Sequence, residues 1–264
     1  MNILWITDPH FNFLRPEPRE AFALDVADHY PNLNAVVLTG DLAEHASFQE
    51  LTEEFAQTVG KPVYFVLGNH DSYGSSIHAT KEKARNMTGL ARWLPAAGLI
   101  QVTEDTVLCG VDGWYDAKNG SGWASQVLLN DFTYISELNT MKPHLALQDV
   151  VNAEVQEAET TLAKAVASGA KNVVFATHVP PFPQATWHEG KHSDAEWLPW
   201  MSCQDMGSLL YQIAESNRSV NFTVLCGHTH GSGNVQLTPN LKVFTGASRY
   251  GRPEVSKYFE GAFA

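Results

Sequence analysis

Five short apolar runs, each ending in a polar cluster, limit the folds open to this 264-residue chain. Each run is rich in β-branched residues and short enough to be a fully buried strand, which places its polar cluster at the carboxyl end of that strand. The runs are "NILWITDPH", "NAVVLTGDLAE", "PVYFVLGNHD", "KNVVFATHVPP" and "FTVLCGHTHG". Because ligands bind at the carboxyl ends of parallel strands, the runs also predict where a site lies.

Segments with helical periodicity separate these runs and predict right-handed crossovers, with a largely parallel sheet covered by helices. The predicted helices span Glu17 to Tyr30, Ala46 to Thr58, Ser75 to Trp93, Leu147 to Ser168 and Cys203 to Ser216. Further strands are predicted at "TVLCGVDGW", "NVQLTP" and "LKVFTGA", the last two joined by a turn at Pro239-Asn240. These strands suggest antiparallel additions, so we expect an α/β protein with two facing sheets.

The length and composition favour one globular domain over residues 1–264, since single domains of this size are common. Hydrophobic residues make up 44% of the chain, and no apolar stretch approaches the roughly 20 residues that a membrane span requires. The N-terminus leads into a predicted strand without the features of a secretory signal, so we expect a cytoplasmic protein. Cys109, Cys203 and Cys226 lack the spacing of a zinc ribbon and are expected to be core thiols.

The charge balance bears on the partner of this chain. Its formal net charge is −12 at pH 7, and no run of lysine or arginine offers a track for phosphates. Long DNA or RNA is therefore disfavoured as a substrate, although not excluded. Divalent cations held by carboxylates would offset part of this charge locally, so a small anionic substrate remains compatible. The sequence does not indicate an oligomeric state.

The polar clusters at the predicted strand ends supply carboxylate, carboxamide and imidazole groups. They contain Asp8, His10, Asp41, Asn69, His70, Asp71, His178, His228 and His230. This donor set suits manganese, iron, zinc or nickel rather than the thiolate site of a structural zinc. Each cluster alone has an ordinary explanation, such as a turn at Gly40-Asp41. Their joint placement predicts a shared metal site, and seven donors suffice for two ions when one carboxylate bridges them.

The order of these clusters resembles that of the calcineurin-like metallophosphoesterases. That family carries Asp-x-His, Gly-Asp, Gly-Asn-His-(Asp/Glu), His and Gly-His-x-His in this order. Here the motifs stand as "DPH", "GDLAE", "GNHD", "THVPP" and "GHTH", from Asp8 to His230. The resemblance implies a four-layer α/β fold, in which two facing mixed sheets form a sandwich flanked by helices. It also implies two divalent metal ions, with manganese or iron favoured over zinc or nickel.

The resemblance further implies a role for each matching residue. It assigns Asp8, His10 and His230 to one ion, and Asn69, His178 and His228 to the other. Asp41 is expected to bridge both ions, which would hold a hydroxide between them for in-line attack on a phosphate. His70 is expected beside the leaving-group oxygen as a general acid or hydrogen-bond donor, with Asp71 favouring and orienting its imidazolium form.

The expected reaction is hydrolysis of a small phosphomonoester or phosphodiester. A cyclic-nucleotide phosphodiesterase or a nuclease of the same family remains an alternative. A non-catalytic scaffold is disfavoured, because no motif residue is missing. The protein serine/threonine phosphatases carry an arginine shortly after the Gly-Asp motif, whereas this chain continues Leu42-Ala43-Glu44-His45. A protein phosphatase is therefore disfavoured as well.

Two segments outside the motifs are candidates for substrate specificity. They are residues 110–116 and the segment 180–200, whose prolines and tryptophans predict an ordered loop over the site. Their flat side chains could stack on a nucleobase or another flat leaving group. The candidates are Trp114, Tyr115, Trp187 and His188. Alternatively, these aromatic side chains close the edge of the sandwich. The sequence favours the two interpretations equally.

Overall fold

The strands form two large sheets and one short hairpin in the computed structural model, which describes residues 1–261. In chain order they are β1 (Ile3–Ile6), β2 (Ala35–Thr39), β3 (Val63–Val66), β4 (Ala91–Trp93), β5 (Ile100–Thr103), β6 (Thr106–Gly110), β7 (Asn172–Ala176), β8 (Trp187–His188), β9 (Lys191–His192), β10 (Asn221–Cys226), β11 (Gly233–Thr238), β12 (Leu241–Thr245) and β13 (Lys257–Phe259).

The helices connect these strands and cover the outer faces of the two sheets. In chain order they are α1 (Pro16–His29), α2 (Phe48–Val59), α3 (Ile77–Arg85), α4 (Leu94–Ala97), α5 (Asp131–Tyr134), α6 (Pro143–Ala167), α7 (Leu198–Met201) and α8 (Gln204–Ser216). Single turns of 3₁₀ helix lie at Phe11–Phe13, His70–Ser72, Gly122–Ala124 and Pro183–Ala185.

Both large sheets are mixed, with a parallel centre and antiparallel strands at their edges. The first has the order β13-β1-β2-β3-β4, in which only β13 is antiparallel to its neighbour. The second has the order β11-β12-β10-β7-β6-β5, with β11 and β5 antiparallel at its two edges. The predicted turn at Pro239-Asn240 joins β11 to β12. The prediction of two mixed sheets is confirmed.

Alternate residues of the central strands face different layers, which explains the four-layer arrangement. In β1, Leu4 and Ile6 pack among the residues of α1 and α2, whereas Ile3 and Trp5 pack against residues of the second sheet such as Val174. A further cluster joins the outer face of the second sheet to α6 and α8. Because these strands are buried on both faces, their sequences are continuous apolar runs.

The largest difference from the predicted elements lies within residues 75–93. Helix α3 ends at Arg85, and Ala91–Trp93 form β4, which pairs in parallel with β3. A three-residue strand has no periodicity of its own, so its pairing with β3 defines it. The short strands β5 and β13 and the β8–β9 hairpin are not predicted either, for the same reason. Helix α6 begins at Pro143 rather than at Leu147.

The five strands predicted from the apolar runs end near one another, where their polar side chains come into contact. Strands β1, β2 and β3 contribute from the first sheet, and β7 and β10 contribute from the second. Cys109, Cys203 and Cys226 are buried and free, as predicted for core thiols. Within residues 1–261, no helix combines the length and apolar character needed to cross a membrane.

Candidate active site

Asp41, which follows β2, lies between two groups of polar side chains. Its Oδ2 atom is 3.7 Å from Nε2 of His10, and its Oδ1 atom is 3.4 Å from Nε2 of His178. We call the first group the Asp8 group (Asp8, His10 and His230) and the second the Asn69 group (Asn69, His178 and His228). The two oxygens of one carboxylate thus face two separate donor sets, which is the arrangement expected of a bridging ligand.

The Asp8 group is compact and holds its donors close to one another. Nε2 of His10 lies 3.2 Å from Nε2 of His230, and Nε2 of His230 lies 3.6 Å from Oδ1 of Asp8. With Asp41 included, one ligand atom of each residue falls within 4.8 Å of all the others. The Nδ1 atom of His10 is buried and has no hydrogen-bond partner among the described residues.

Backbone carbonyls fix the tautomers of both histidines in the Asn69 group. Nδ1–H of His178 donates to the carbonyl of Thr39 at 2.9 Å, and Nε2–H of His228 donates to the carbonyl of Trp200 at 2.8 Å. Because a carbonyl oxygen only accepts, each bonded nitrogen carries the proton. Nε2 of His178 and Nδ1 of His228 therefore carry free lone pairs, and they lie 3.1 Å apart.

The amide oxygen of Asn69 completes this set. Nδ2 of Asn69 donates to Oδ1 of Asp131 at 3.0 Å, which turns Oδ1 of Asn69 toward the histidines. That oxygen lies 3.1 Å from Nε2 of His178 and 3.1 Å from Nδ1 of His228. Three lone pairs thus face one another with no proton between them. This arrangement suits a divalent cation, for which nitrogen and oxygen atoms of this kind are ligands.

The protonation states of the site also fit a cation. Burial raises the pKa of Asp8 and that of Asp41 to about 7. Within residues 1–261, no lysine or arginine forms a salt bridge with either carboxylate. Burial lowers the pKa of His230 to about 4 and that of His228 well below its usual value. The imidazoles are therefore neutral at pH 7, the form that binds metals, and the carboxylates lack a positive partner.

Five of the seven predicted ligands adopt left-handed backbone angles. The φ angles are 46° at Asp8, 43° at His10, 49° at Asp41, 69° at His228 and 58° at His230. Residues other than glycine rarely occupy this region, and each costs about 1–3 kcal/mol that the surroundings must offset. A backbone hydrogen bond from His10 to the carbonyl of Asp41, at 3.0 Å, ties two of these turns together.

Glycines beside the predicted ligands leave room for ligands from neighbouring strands. A Cβ atom on Gly227 would overlap Oδ2 of Asp8 and the hydroxyl of Thr7. Gly40 has a φ of 85°, and a Cβ atom there would overlap the ring of His178. Both positions therefore require glycine, in agreement with the prediction that these turns bring the backbone close to the site.

His70 lies at the wall of the cavity above Asp41. Its Nε2 atom is 4.0 Å from Oδ2 of Asp41, and its ring stacks on that of Tyr73 with a centroid distance of 4.3 Å. Burial lowers the pKa of His70, while the carboxylates of Asp131, Asp8 and Glu44 act in the opposite direction.

The contacts of Asp71 differ from those expected. Its two oxygens accept hydrogen bonds from the backbone N–H groups of Ala43, at 3.0 Å, and Gly68, at 2.7 Å. Its carboxylate thus ties the turn after β2 to the turn after β3. Within residues 1–261 it has no hydrogen bond to the imidazole of His70, so the predicted orienting contact is absent. The backbone donors are nearer than the imidazole.

A cavity of about 750 Å³ opens above these residues. We call the seven predicted ligands together with His70 the floor; Asp41, Asn69, His70, His228 and His230 line the base of the cavity, and Asp8, His10 and His178 lie behind them. We call the exposed margin of the cavity the rim, which consists of Leu128, His188, Lys191, Asp194, Trp197 and Tyr250. Most of the rim comes from segment 180–200, four residues of which are among the six named. This segment is ordered by the β8–β9 hairpin and α7.

The predicted aromatic contacts with substrate are largely wrong. Trp114 and Tyr115 are buried and do not line the cavity, because they continue the buried path of β6 into the core beside Trp200. Trp187 is half-buried and packs against the ring of His192 at 4.1 Å. Of the four predicted residues, only His188 lines the cavity.

Three residues at the site are not identified by the motifs. Tyr73 supports His70, Asp131 accepts from Asn69, and the ring of Tyr250 lies 4.5 Å from that of His10. Tyr73 stands three residues after His70, and this spacing is the only feature of the nearby sequence that marks it as a site residue. Asp131 begins the short helix α5 and Tyr250 lies in an irregular segment, both outside the motifs, so their positions follow from the path of the chain.

Comparisons with known proteins agree with this architecture. The family model described as calcineurin-like phosphoesterase matches residues 1–232. A symmetrical bis(5'-nucleosyl)-tetraphosphatase from Erwinia tasmaniensis is 29% identical over 136 residues, which cover 45% of this chain and only 50% of that relative. The chain thus aligns with half the length of this curated relative.

Solved structures resemble the fold over nearly the whole chain. The phosphopantetheinyl hydrolase of Mycobacterium tuberculosis superposes with a TM-score of 0.69 at 15% identity, covering 95% of this chain and 90% of the other. A dimetal phosphatase from Danio rerio gives 0.56 at 13% identity, covering 94% and 87%. Since the family model spans most of the chain and the fold agrees, this protein belongs to the calcineurin-like phosphoesterase family.

Proposed function

We propose that this protein is a dinuclear metal-dependent hydrolase of a small phosphomonoester or phosphodiester. The observation that carries the proposal is the position of Asp41, whose two oxygens face the Asp8 group and the Asn69 group. The neutral imidazoles on both sides of it, with the Asp8 carboxylate on one side and the Asn69 amide oxygen on the other, suit two divalent cations. Manganese or iron is the proposed metal.

The residues of the floor would divide between the two ions. Asp8, His10 and His230 would hold one, Asn69, His178 and His228 the other, and Asp41 both. When bound, the ions supply Lewis-acid activation of the phosphate and of water. The chain itself contributes orientation, because the tautomers of His178 and His228 are set before substrate arrives.

His70 is the proposed proton donor. It lies at the cavity wall with its side chain 18% exposed, so its imidazole can reach a substrate above Asp41. From there it can donate a proton or a hydrogen bond to the leaving-group oxygen. The proposed role of Asp71 is now indirect, since its hydrogen bonds hold the backbone of the turns that carry Asp41 and His70.

The cavity favours a small phosphate ester with an organic leaving group. Its volume of about 750 Å³ exceeds what a phosphate group needs. Lys191 is the one lysine or arginine that lines it among residues 1–261, and Asp194 is nearby on the rim. Exposed Leu128 and Trp197 offer apolar contact. This cavity would attract a polyanionic polymer such as DNA or RNA only weakly. A nuclease or a cyclic-nucleotide phosphodiesterase remains the alternative function.

The test is hydrolysis by the metal-free protein reconstituted separately with Mn²⁺, Fe²⁺, Zn²⁺ and Ni²⁺. The panel should contain phosphomonoesters, linear diesters, cyclic nucleotides, bis(5'-nucleosyl) tetraphosphates, and single- and double-stranded DNA. We expect two bound ions per chain and activity on a small ester. Inactivity of the metal-loaded protein on the whole panel would contradict the proposal.

Variants at the floor separate an enzyme from a scaffold. His70→Ala and Asp41→Asn should each abolish most of the hydrolysis while the cellular phenotype of the gene is followed in parallel. An unchanged phenotype in both variants would favour the scaffold. The cytoplasmic location inferred from the N-terminus stays a prediction, which fractionation of cells can test.

A further inference from the structure

Asp131 is a buried carboxylate that receives three neutral hydrogen-bond donors. Nδ2 of Asn69 donates to its Oδ1 at 3.0 Å, and the hydroxyl of Tyr73 donates to the same oxygen at 2.5 Å. The hydroxyl of Tyr115 donates to its Oδ2 at 2.7 Å. Asp131 is 1% exposed, and no salt bridge with lysine or arginine reaches it within residues 1–261. A buried carboxylate without a cation is costly, which an asparagine would avoid.

The two tyrosines extend this network to site histidines. Tyr73 stacks on the ring of His70 at 4.3 Å, with an interplanar angle of 25°. Tyr115 stacks toward His228 at 6.1 Å, with an interplanar angle of 27°. Burial and the Asp131 carboxylate raise the pKa of both tyrosines, so their hydroxyls remain protonated donors. One carboxylate thus contacts Asn69 directly and two site histidines through stacked rings.

The segment that carries Asp131 is itself fixed against the turn that carries His70. The backbone N–H of Gly74 donates to the carbonyl of Tyr134 at 3.0 Å, and that of Ser136 donates to the carbonyl of Ser75 at 2.9 Å. The carboxylate of Glu137 accepts from the N–H of Ile77 at 2.9 Å. Asp131 therefore occupies a set position relative to the 69–73 turn.

The orientation of the Asn69 amide decides whether it can bind a cation. Only its oxygen is a ligand, and an NH₂ group in its place would instead donate to the free lone pair of His178 or His228. Asp131 accepts from the NH₂ group and so disfavours the flipped amide.

We propose that Asp131 is a positioning residue for the metal site, which holds the Asn69 oxygen toward His178 and His228 and fixes the supporting rings of Tyr73 and Tyr115. This inference rests on the proposed function, in that it takes the Asn69 group as a metal site. Outer partners of this kind typically change metal affinity by about 10- to 100-fold when removed.

The primary test is the affinity of the metal-free full chain for Mn²⁺, measured by calorimetry for wild type and Asp131→Asn. We expect one of two sites to weaken by about 10- to 100-fold and the other to keep its affinity. The paramagnetic resonance signal of a coupled Mn²⁺ pair should be lost at two equivalents of metal. Asp116→Asn is the matched control, because Asp116 is also buried but accepts from the backbone of Lys118 and Asp205.

A rescue variant separates positioning from a general effect on folding. Adding Asn69→Asp to Asp131→Asn exchanges donor and acceptor, so that the new amide donates to the new carboxylate and an oxygen still faces the histidines. We expect this double variant to bind the second Mn²⁺ more tightly than either single variant. Equal weakening in the Asp116→Asn control, or no recovery in the double variant, would overturn the proposal.

Two further variants apply if Asp131→Asn does not fold. Tyr73→Phe and Tyr115→Phe each remove one donor, and each should weaken one site by about 2- to 10-fold. Wild-type affinity in both would overturn the proposal. A wild-type chain that binds two Mn²⁺ but hydrolyses no phosphoester contradicts the proposed function alone, since the Asp131 test reads metal affinity. A wild-type chain that binds no Mn²⁺ contradicts both.

Discussion

The floor and the rim of the cavity differ in how their side chains are held. On the floor, the carboxylates, the Asn69 amide, His10 and His178 are buried, and hydrogen bonds fix the tautomers of His178 and His228. On the rim, Leu128 is 93% exposed and Tyr250 is 51% exposed, and both project from irregular segments. The difference indicates that the chemistry depends on a preorganised floor, whereas substrate selection depends on a rim that can adapt.

The distinction between a preorganised floor and an adaptable rim depends most on Asp41. Asp41→Asn removes the charge that faces both donor groups, so kcat/KM should fall by at least about 10³-fold, with a loss of bound metal. Elemental analysis and steady-state kinetics measure the two effects. Asp149→Asn, on the exposed face of α6, is the control and should behave as wild type. Full metal content together with full activity in Asp41→Asn would remove the basis for a bridging carboxylate.

His70→Gln tests whether the floor includes a proton donor separate from the metal ligands. We expect kcat to fall by about 10²-fold with metal content unchanged, because His70 does not belong to either donor group. The loss should be smaller for an ester with an acidic leaving group such as p-nitrophenol than for an alkyl ester. An equal loss for both esters would argue against protonation of the leaving group.

Gly227→Ala tests how tightly the floor is packed. The added Cβ would overlap Oδ2 of Asp8, and overpacking of this kind costs about 1–3 kcal/mol. We expect a lower thermal midpoint and weaker Mn²⁺ binding. Gly89→Ala is the matched control, since nothing lies within 4 Å of the added atom there. Equal effects of the two substitutions would mean that the glycine beside Asp8 has no special role.

A substitution of Asp112 tests the contacts that support the turn carrying Asn69. It is buried, and its Oδ1 atom accepts from the N–H of Leu67 at 2.8 Å, next to the turn that carries Asn69. Burial and the charge of Glu154 raise the pKa of Asp112 to about 8, against the opposing charge of Lys81. Between its ordinary value near 4 and 8, the native state holds a proton that the unfolded state has lost, so its contribution to stability falls as pH rises.

The expected result is that Asp112→Asn gains stability relative to wild type as pH rises from 5 to 8. Urea unfolding in the presence of a chelator, at both pH values, measures the difference in unfolding free energy. A difference independent of pH would show that Asp112 is ionised in the folded chain throughout this range.

Lys191→Ala should give the smallest effect, because Lys191 is exposed on the rim. KM should rise by about 2- to 5-fold for substrates with a second phosphate and stay unchanged for a monoester with a neutral leaving group. Lys171→Ala, at the amino end of β7, is the control. A fall in kcat for every substrate would mean that the rim takes part in the chemistry.

The sequence indicates that the residues of the floor lie close together, because each of them follows a buried strand. Apolar runs of β-branched residues specify such strands locally, and parallel strands bring their carboxyl ends together. Asp41 and His178 are therefore predicted as neighbours although they are distant in sequence. The four-layer fold follows from the same runs once the antiparallel additions are recognised.

The rim and the supporting contacts are not predictable in the same way. Trp114 and Tyr115 come shortly after the end of the buried strand β6 at Gly110, yet the chain there continues through the core rather than into the cavity. Asp71 stands beside His70 in the sequence but bonds to backbone N–H groups. Asp131 acquires its partners from the docking of the short helix α5 beside the 69–73 turn. Such positions depend on long-range packing, which local patterns do not record.

The two sheets contribute different halves of the site, and this has a consequence for the order of assembly. Asn69 and His178 are 109 residues apart in the chain and lie on different sheets. A ribosome that has made only strands β1 to β4 of the first sheet has made Asp8, His10, Asp41 and Asn69, but not His178, His228 or His230. A cation held by both donor groups would therefore be acquired after the two sheets have docked, so uptake of metal reports that the chain has finished folding.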